Sequence, residues 1–172
     1  MVRGHRQRIR AGAKRGGHTG PNPTDRSKAG CKRHVLVDAA GLPLAVLTTP
    51  ANTRDDAAAP ALLARLRPIA GPRGRPRRKP DALVGDRGYG FPWLMSLVAG
   101  MRVLCLLAPR GAGHGSGLGV LRWVVERTLA WFGNYRRLKL CYEREGERFQ
   151  AFHDLAAALI CFGRLPAHVD SS

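Results

Sequence analysis

Apolar and polar positions divide the first half of the chain into two short strands and a helix. Residues 34–37 and 44–47 are strand-like runs, and residues 38–41 between them have the composition of a hairpin turn. Residues 52–56 then offer side chains that can cap a helix. The helix itself is indicated by apolar residues at i, i+3, i+4 and i+7, namely Ala59, Leu62, Leu63 and Leu66. This half of the chain therefore predicts a β-hairpin that leads into an amphipathic helix.

The second half alternates short apolar runs with helical patterns. Residues 82–85 form a run that ends at Asp86, residues 91–99 have a helical pattern, and residues 102–108 indicate a buried strand. Two further helices are predicted by apolar stripes, one at Leu121, Val124, Val125, Thr128, Leu129 and Phe132 and one at Phe149, Phe152, Ala156, Leu159 and Ile160. Strands that alternate with helices predict an α/β fold with a mixed sheet.

Three segments lack these patterns and are predicted to be loops. Residues 1–30 are rich in Gly, Arg and Pro and indicate a basic arm, while residues 71–80 form an exposed basic connection. Residues 111–119, rich in glycine, are expected to be flexible and match no phosphate-binding glycine motif. The chain then consists of the arm, one α/β region over 31–165 and a short tail over 166–172.

The charge of the chain identifies a class of partner. Among 172 residues there are 29 Lys and Arg against 12 Asp and Glu, a formal net charge of +17. Such an excess repels itself unless a polyanion neutralises it, and nucleic acid is the usual polyanion. Charge alone names this partner and no activity.

Other compartments and site types are disfavoured by composition. The longest apolar runs, such as residues 103–108, are too short to cross a bilayer, so no membrane partner is expected. The four cysteines are scattered without a Cys-x-x-Cys pair, which disfavours a zinc site of that kind. Scattered, reduced cysteines are typical of the cytosol. Trp93, Trp123 and Trp131 are predicted to be core residues, because two of them share a helix with an apolar stripe.

Two acids stand out in this acid-poor chain. Asp86 lies in a glycine-flanked turn after a strand, and Glu126 lies on the flank of the apolar stripe of a helix. Taken singly, the first is most simply a turn former and the second a solvated charge. Arg122 precedes Glu126 by one turn, which is the less favourable order for a helical ion pair. Taken together, the two carboxylates could hold Mg²⁺, which serves phosphodiester chemistry.

Three segments in order resemble a known family: GGHTGPNPTDRSKAGCKRHVLVDAAGLPLAV, VGDRGYG and RWVVERTLAWFGNYRRL. They are similar to the C-terminal catalytic region of bacterial insertion-sequence DDE transposases, specifically the insertion-sequence-five group, from roughly Lys14 to Leu165. The resemblance implies an RNase H-like fold with three acidic ligands for Mg²⁺ or Mn²⁺. By motif, Asp86 matches the second acid and Glu126 the third.

The resemblance also implies DNA as the partner, both transposon ends and target, bound by a homo-oligomer in the cytoplasm at the nucleoid. Arg122 matches an arginine expected at the phosphate of the scissile bond, whereas Gly133 stands where the family often has a basic residue. The candidate DNA contacts are Arg122, Lys32, Arg33, Arg75, Arg77, Arg78, Arg136 and Arg137.

The family's first Asp has no match in this chain. Residues 1–24 contain neither Asp nor Glu, and residues 1–12 are predicted to be unable to supply an apolar central strand. Asp25 and Asp38 match other segments of the family and receive no catalytic role. We therefore expect an N-terminally incomplete fold that is inactive alone. Either an upstream-frame product of the same gene completes it, or the chain is a decayed remnant.

A different class of function stays open on the sequence. A non-catalytic basic nucleic-acid-binding protein would have the same charge, with Asp86 and Glu126 as structural residues. Mg²⁺ or Mn²⁺ binding through these two acids distinguishes the two hypotheses.

Overall fold

The computed structural model describes residues 2–11, 17–23, 26–71, 74–108 and 119–165, with side chains undescribed at 2–8, 10–11 and 119–122. The elements, in chain order, are β1 (Val2–Ala11), β2 (Gly20–Pro21), β3 (Ala29–Val37), β4 (Pro43–Pro50), α1 (Asp55–Ala64), β5 (Ala82–Gly85), α2 (Pro92–Gly100), β6 (Leu104–Leu107), α3 (Gly119–Gly133), β7 (Leu140–Cys141) and α4 (Gly146–Phe162). Short 3₁₀ turns at Arg87–Tyr89 and Arg136–Leu138 follow β5 and α3.

The strands form one mixed sheet with β1 near its centre. The order is β2-β3-β1-β5-β6, with β4 also paired to β3 and β7 to β1. Strand β3 runs antiparallel to its neighbours β1, β2 and β4, whereas β1 is parallel to β5 and β7, and β5 is parallel to β6. The α/β fold with a mixed sheet flanked by helices is confirmed at this level.

The prediction that residues 1–30 lack regular structure is wrong for β1. Ten residues of this segment form a strand that is hydrogen-bonded along one edge to β3 and along the other to β5 and β7. The prediction that residues 1–12 cannot supply a central strand is wrong as well, because β1 lies between β3 and β5. Strand formation depends on the neighbours that a segment finds as much as on its own residues. Backbone hydrogen bonds along both edges of β1 hold this basic segment in the sheet although it has few apolar residues.

Two hydrophobic layers cover the two faces of the sheet. Helices α3 and α4 bury one face, in a core that includes Ile9, Val35 and Phe132. Helices α1 and α2 bury the other face, around Leu36 and Leu83. Alternate residues of β3 enter alternate layers because successive side chains of a strand point to opposite faces.

Most of the predicted elements are confirmed with small shifts in their ends. The hairpin joins β3 to β4, and α1, α2, α3, α4, β5 and β6 lie where the apolar pattern indicates. The capping prediction is wrong, because α1 begins after Arg54 with no side-chain cap bond. Leu159 is 48% exposed, so its assignment to the inner face of α4 is also wrong.

Two of the three tryptophans were wrongly predicted to lie in the core. Trp93 is 46% exposed and Trp123 is 51% exposed, while Trp131 is partly buried. The glycine-rich loop over 111–118 and the tail over 166–172 lie outside the described residues. Among the helices of the described ranges, none is long and apolar enough to span a bilayer.

Candidate active site

Asp86 lies at the carboxyl end of β5, the parallel strand between β1 and β6. Its Oδ1 accepts a hydrogen bond of 2.9 Å from the backbone N–H of Gly88, so the carboxylate caps the 3₁₀ turn that follows. The side chain is partly buried. Gly85 just before it allows β6 to approach, since a Cβ at Gly85 would come within 2.7 Å of Leu107 Cδ2.

The turn that carries Asp86 is anchored to the sheet through Tyr89. The buried Tyr89 hydroxyl lies 3.1 Å from His34 Nδ1, and His34 Nε2 lies 3.0 Å from Thr49 Oγ1. This chain of hydrogen bonds connects the turn to β3 and then to β4. A buried and fully satisfied polar network of this kind holds its members in one arrangement. The position of Asp86 is therefore determined by strands far from it in sequence.

Lys32 does not face solvent, which corrects its assignment as a DNA contact. It is 3% exposed and its Nζ lies 3.0 Å from Asp55 Oδ1, with a second bond of 2.5 Å to the carbonyl of Thr53. An ammonium group enclosed in this way cannot reach a phosphate without breaking a buried ion pair, which is strongly destabilising. Lys32 instead joins β3 to the start of α1.

Arg33 is likewise removed from the set of DNA contacts by its burial. Only 1% of it is exposed, its guanidinium lies 4.9 Å above the Phe132 ring, and its Nη2 donates to the Leu138 carbonyl at 3.1 Å. Burial lowers the pKa of Arg33 to about 9. This burial leaves no local signal in the sequence, because Lys32 and Arg33 are successive residues of β3 whose side chains enter opposite layers.

Glu126 is exposed on α3. The other side of this helix places Val125, Leu129 and Phe132 in the core shared with β1 and β3. Arg122 lies one turn before Glu126, and its side chain is outside the described residues. Asp86 and Glu126 thus belong to different elements, one at the end of β5 and one on a helix packed over β1 and β3.

The remaining basic candidates face solvent in two places. Arg75, Arg77 and Arg78 are exposed before β5, where the backbones of Ile69 and Arg77 exchange two hydrogen bonds of 2.9 Å. This group therefore lies at the opposite end of β5 from Asp86, roughly 13 Å away along the strand. Arg136 and Arg137, a second exposed group, follow α3.

A stack of aromatic and guanidinium groups on α3 escaped the sequence prediction. The Arg127 guanidinium lies 4.5 Å from the Trp123 ring centre and 5.0 Å from that of Trp131, and the Arg164 guanidinium lies 3.2 Å from the Trp131 ring centre. We call these four residues the Trp–Arg ladder. Its signal in the sequence is the i, i+4, i+8 spacing of Trp, Arg and Trp, which aligns side chains on one helical face.

The ladder is fixed to the hairpin between β3 and β4. Arg127 Nη2 donates to the Ala40 carbonyl at 2.5 Å, and the buried Thr128 hydroxyl donates to the Gly41 carbonyl at 2.5 Å. Gly41 has a φ of +87°, and a Cβ there would come within 3.1 Å of Thr128 and Val124. The helix that carries Glu126 is therefore held against this turn.

The carboxylate groups of Asp86 and Glu126 are of the ligand type that divalent metals bind. Carboxylate oxygens are ligands that Mg²⁺ and Mn²⁺ favour. Within the described part of the chain, no three His, Cys, Asp or Glu side chains cluster as a metal site. Asp86 and Glu126 therefore fit as contributors to a metal site and do not make a complete ligand set by themselves.

Two comparisons relate the chain to known proteins. Residues 1–161 match the family described as "Transposase DDE domain". Over 147 residues the chain is 42% identical to the "Putative transposase for insertion sequence element IS402" of Burkholderia cepacia, an alignment that covers 86% of this chain and 70% of that protein.

Proposed function

The chain belongs to the DDE transposase family, and from this premise we propose that Asp86 and Glu126 are two of the carboxylates that act in metal-dependent cutting and joining of DNA. The observation that carries the proposal is the placement of Asp86 at the carboxyl end of a parallel strand, in a turn fastened by the Tyr89–His34 bond. Ligands of open α/β sheets bind beyond the carboxyl ends of their strands.

An RNase H-like arrangement and membership of the insertion-sequence-five group are part of the same proposal. In that arrangement the first strand is central, and β1 is paired on both edges within a mixed sheet. Asp86, proposed as the second acid, follows β5, and Glu126, proposed as the third, lies on α3 after β6. This is the order that the resemblance implies.

In this proposal Asp86 and Glu126 would hold Mg²⁺ or Mn²⁺. Such a metal, when bound, activates the attacking oxygen and stabilises the leaving oxygen of the phosphodiester. The Gly88 N–H bond fixes one carboxylate oxygen of Asp86 and orients the group. Glu126 is exposed on a helix whose inner side is buried.

Exposed arginines would supply affinity for the DNA backbone. Arg75, Arg77 and Arg78 form one candidate contact and Arg136 and Arg137 another, with Arg122 proposed at the scissile phosphate. Phosphate contacts of this kind position the duplex without reading its sequence. Assembly into a homo-oligomer on DNA stays a prediction.

Metal binding by matched variants tests the catalytic proposal. Titration calorimetry with Mn²⁺ should show an affinity at least about tenfold weaker for Asp86→Asn and for Glu126→Gln, because each removes one anionic ligand. Asp81→Asn is the control for the first, since Asp81 is exposed at the opposite end of β5. Glu147→Gln on α4, also exposed, is the control for the second.

The unsubstituted chain and the same four variants should be assayed for Mg²⁺-dependent nicking of supercoiled plasmid, and nicking by the unsubstituted chain would contradict the prediction that it is inactive alone. Loss of nicking in the Asp86 and Glu126 variants alone would support a catalytic role. Unchanged Mn²⁺ affinity in both, with DNA binding retained, would instead favour a non-catalytic nucleic-acid-binding protein with structural acids.

A further inference from the structure

Strand β6 forms one edge of the sheet. Its inner edge is paired with β5, and among the described residues no strand pairs with its outer edge. The Leu104 N–H donates to the Asp81 carbonyl at 2.9 Å, so the backbone groups of Leu104 and Leu106 face β5. Successive residues of a strand direct these groups to opposite edges, so those of Cys105 and Leu107 face outward. The outer edge therefore presents N–H and C=O groups that a further strand can bind.

This edge lacks the charged and proline residues that usually prevent such pairing. The segment 103–108, VLCLLA, contains neither a charged residue nor a proline. Two of its leucines are exposed although they belong to a strand: Leu104 is 61% exposed and Leu106 is 37% exposed. Both lie on the same face, since they are two residues apart. An exposed apolar edge of this kind is a surface for the addition of a strand.

The surface beside the edge is also uncharged. Helix α2 packs against β6, and residues 91–101 contain no charged side chain. Leu97 and Met101 of this segment are large apolar residues that are exposed. A helix that is apolar on its outer side as well as its inner side is typical of one that is covered by a partner. The strand and the helix thus share the same need for an apolar partner.

The charge of the chain favours a second copy as that partner. At a formal net charge of +17, two copies repel each other wherever their basic surfaces meet. An uncharged surface is where they can approach each other at the lowest electrostatic cost. An acidic partner would instead be drawn to basic segments such as residues 71–80. An antiparallel pair of identical strands is also self-complementary, because a twofold axis brings the same groups of both copies together.

We propose that two copies of the chain form a dimer by antiparallel pairing of their β6 strands. In the register that uses every outward-facing backbone group, Cys105 of each copy lies opposite Leu107 of the other and exchanges two hydrogen bonds with it. Leu106 then lies opposite Leu106 of the second copy, at the twofold axis. The two sheets become one sheet across the dimer. This assembly goes beyond the predicted assembly on DNA, because it requires neither DNA nor metal.

The register can be distinguished by the distances between identical residues. At a non-hydrogen-bonded position the opposite Cα atoms are about 4.5 Å apart, which suits a disulfide, and the two copies of Leu106 occupy such a position. The two copies of Cys105 lie on a diagonal about 9 Å long, which is too far for a disulfide. Leu104 lies opposite Ala108 of the second copy, so its two copies are roughly 14 Å apart.

Cross-linking of the whole chain with the thiol oxidant diamide, in EDTA and without DNA, tests this register. Leu106→Cys should form at least about tenfold more covalent dimer on a non-reducing gel than Leu104→Cys does, because only the first pair of thiols is within reach. The unsubstituted chain, which has Cys105, is the second control and should stay uncross-linked. Equal yields from all three proteins would indicate random collision and would contradict the register.

Size-exclusion chromatography with light scattering, over a range of protein concentrations, measures the dimer itself. Leu106→Lys places two like charges opposite each other and removes two leucines from the interface, so the Kd of the dimer should rise at least about hundredfold. Leu155→Lys is the matched control, because Leu155 is exposed on α4, which packs on β4 at the opposite edge of the sheet. Its Kd should stay within about twofold of that of the unsubstituted chain.

Circular dichroism shows whether both lysine variants fold, and the uncharged Leu106→Cys variant carries the test if Leu106→Lys does not. A chain that stays monomeric and gives no Leu106→Cys cross-link would overturn the proposal. A dimer dissociated by Leu155→Lys and not by Leu106→Lys would place the interface on α4 and overturn it as well. None of these outcomes bears on the catalytic proposal, which is read from Mn²⁺ affinity and nicking.

Discussion

The side-chain amide of Gln150 pairs with the outer edge of β4 as a strand would. Its Oε1 accepts the Thr48 N–H at 2.8 Å and its Nε2 donates to the Val46 carbonyl at 3.0 Å. A buried backbone group left unpaired costs about 1–3 kcal/mol, so Gln150→Ala should lower the free energy of unfolding by about 2–4 kcal/mol in urea titrations. Arg148→Ala, exposed on the same helix, should change it by less than about 0.5 kcal/mol. A Gln150→Ala effect as small as that of the control would contradict this role.

His153 makes stability depend on pH. Burial, then the nearby Arg33 charge, lowers the pKa of this fully buried imidazole to about 3, against 6.5 for an ordinary histidine. The unfolded chain then binds the extra proton between these values. The contribution of neutral His153 to the free energy of unfolding is therefore fully present above pH 6.5. It is lost as the pH falls toward 3, by up to about 1.4 kcal/mol per pH unit.

Urea unfolding of the unsubstituted protein and of His153→Gln at pH 7.5, 6.0 and 5.0 measures this contribution. The difference between their free energies of unfolding should narrow as the pH falls, because only the imidazole gains a proton on unfolding. Parallel pH profiles would show that His153 does not titrate with unfolding.

At the scale of elements, the exposed segment before β5 should set the salt dependence of DNA binding. Each phosphate neutralised contributes roughly −0.9 to the slope of log affinity against log salt. Replacing Arg75, Arg77 and Arg78 by Gln should therefore make the slope shallower by up to about 2.7. Arg148→Gln serves as the control, since this arginine is ion-paired with Glu145 away from the segment. An unchanged slope in the triple variant would remove the segment from the DNA interface.

Elements with strong apolar periodicity could be predicted from the sequence, and elements defined by pairing could not. The buried faces of α3 and the β3–β4 hairpin follow from local patterns. Strand β1 has almost no apolar pattern, and its place depends on β3 and β5, which come later in the chain. The motif around Asp86 could be found in the sequence, whereas the Tyr89–His34 bond joins residues 55 apart. Long-range partners of this kind leave no local signal.

At the scale of the whole molecule, the excess of positive charge opposes folding. With a formal charge of +17 on 172 residues, self-repulsion is stronger in the compact state than in the expanded one. Raising KCl from 50 to 500 mM shortens the Debye length from roughly 14 to 4 Å and should raise the melting temperature by a few degrees. A melting temperature that falls or stays constant by differential scanning fluorimetry would indicate that local ion pairs such as Arg137–Glu143 dominate.

The packing of the hairpin turn against α3 also constrains the order of events on the ribosome. Gly41 and its partner Thr128 are separated by 87 residues, so the turn is synthesised long before the helix that covers it. At about 5–20 residues per second, the turn waits roughly 4 to 17 seconds for its partner. Throughout that interval the turn lacks its buried contact with Thr128, because the helix that covers it has not yet been synthesised.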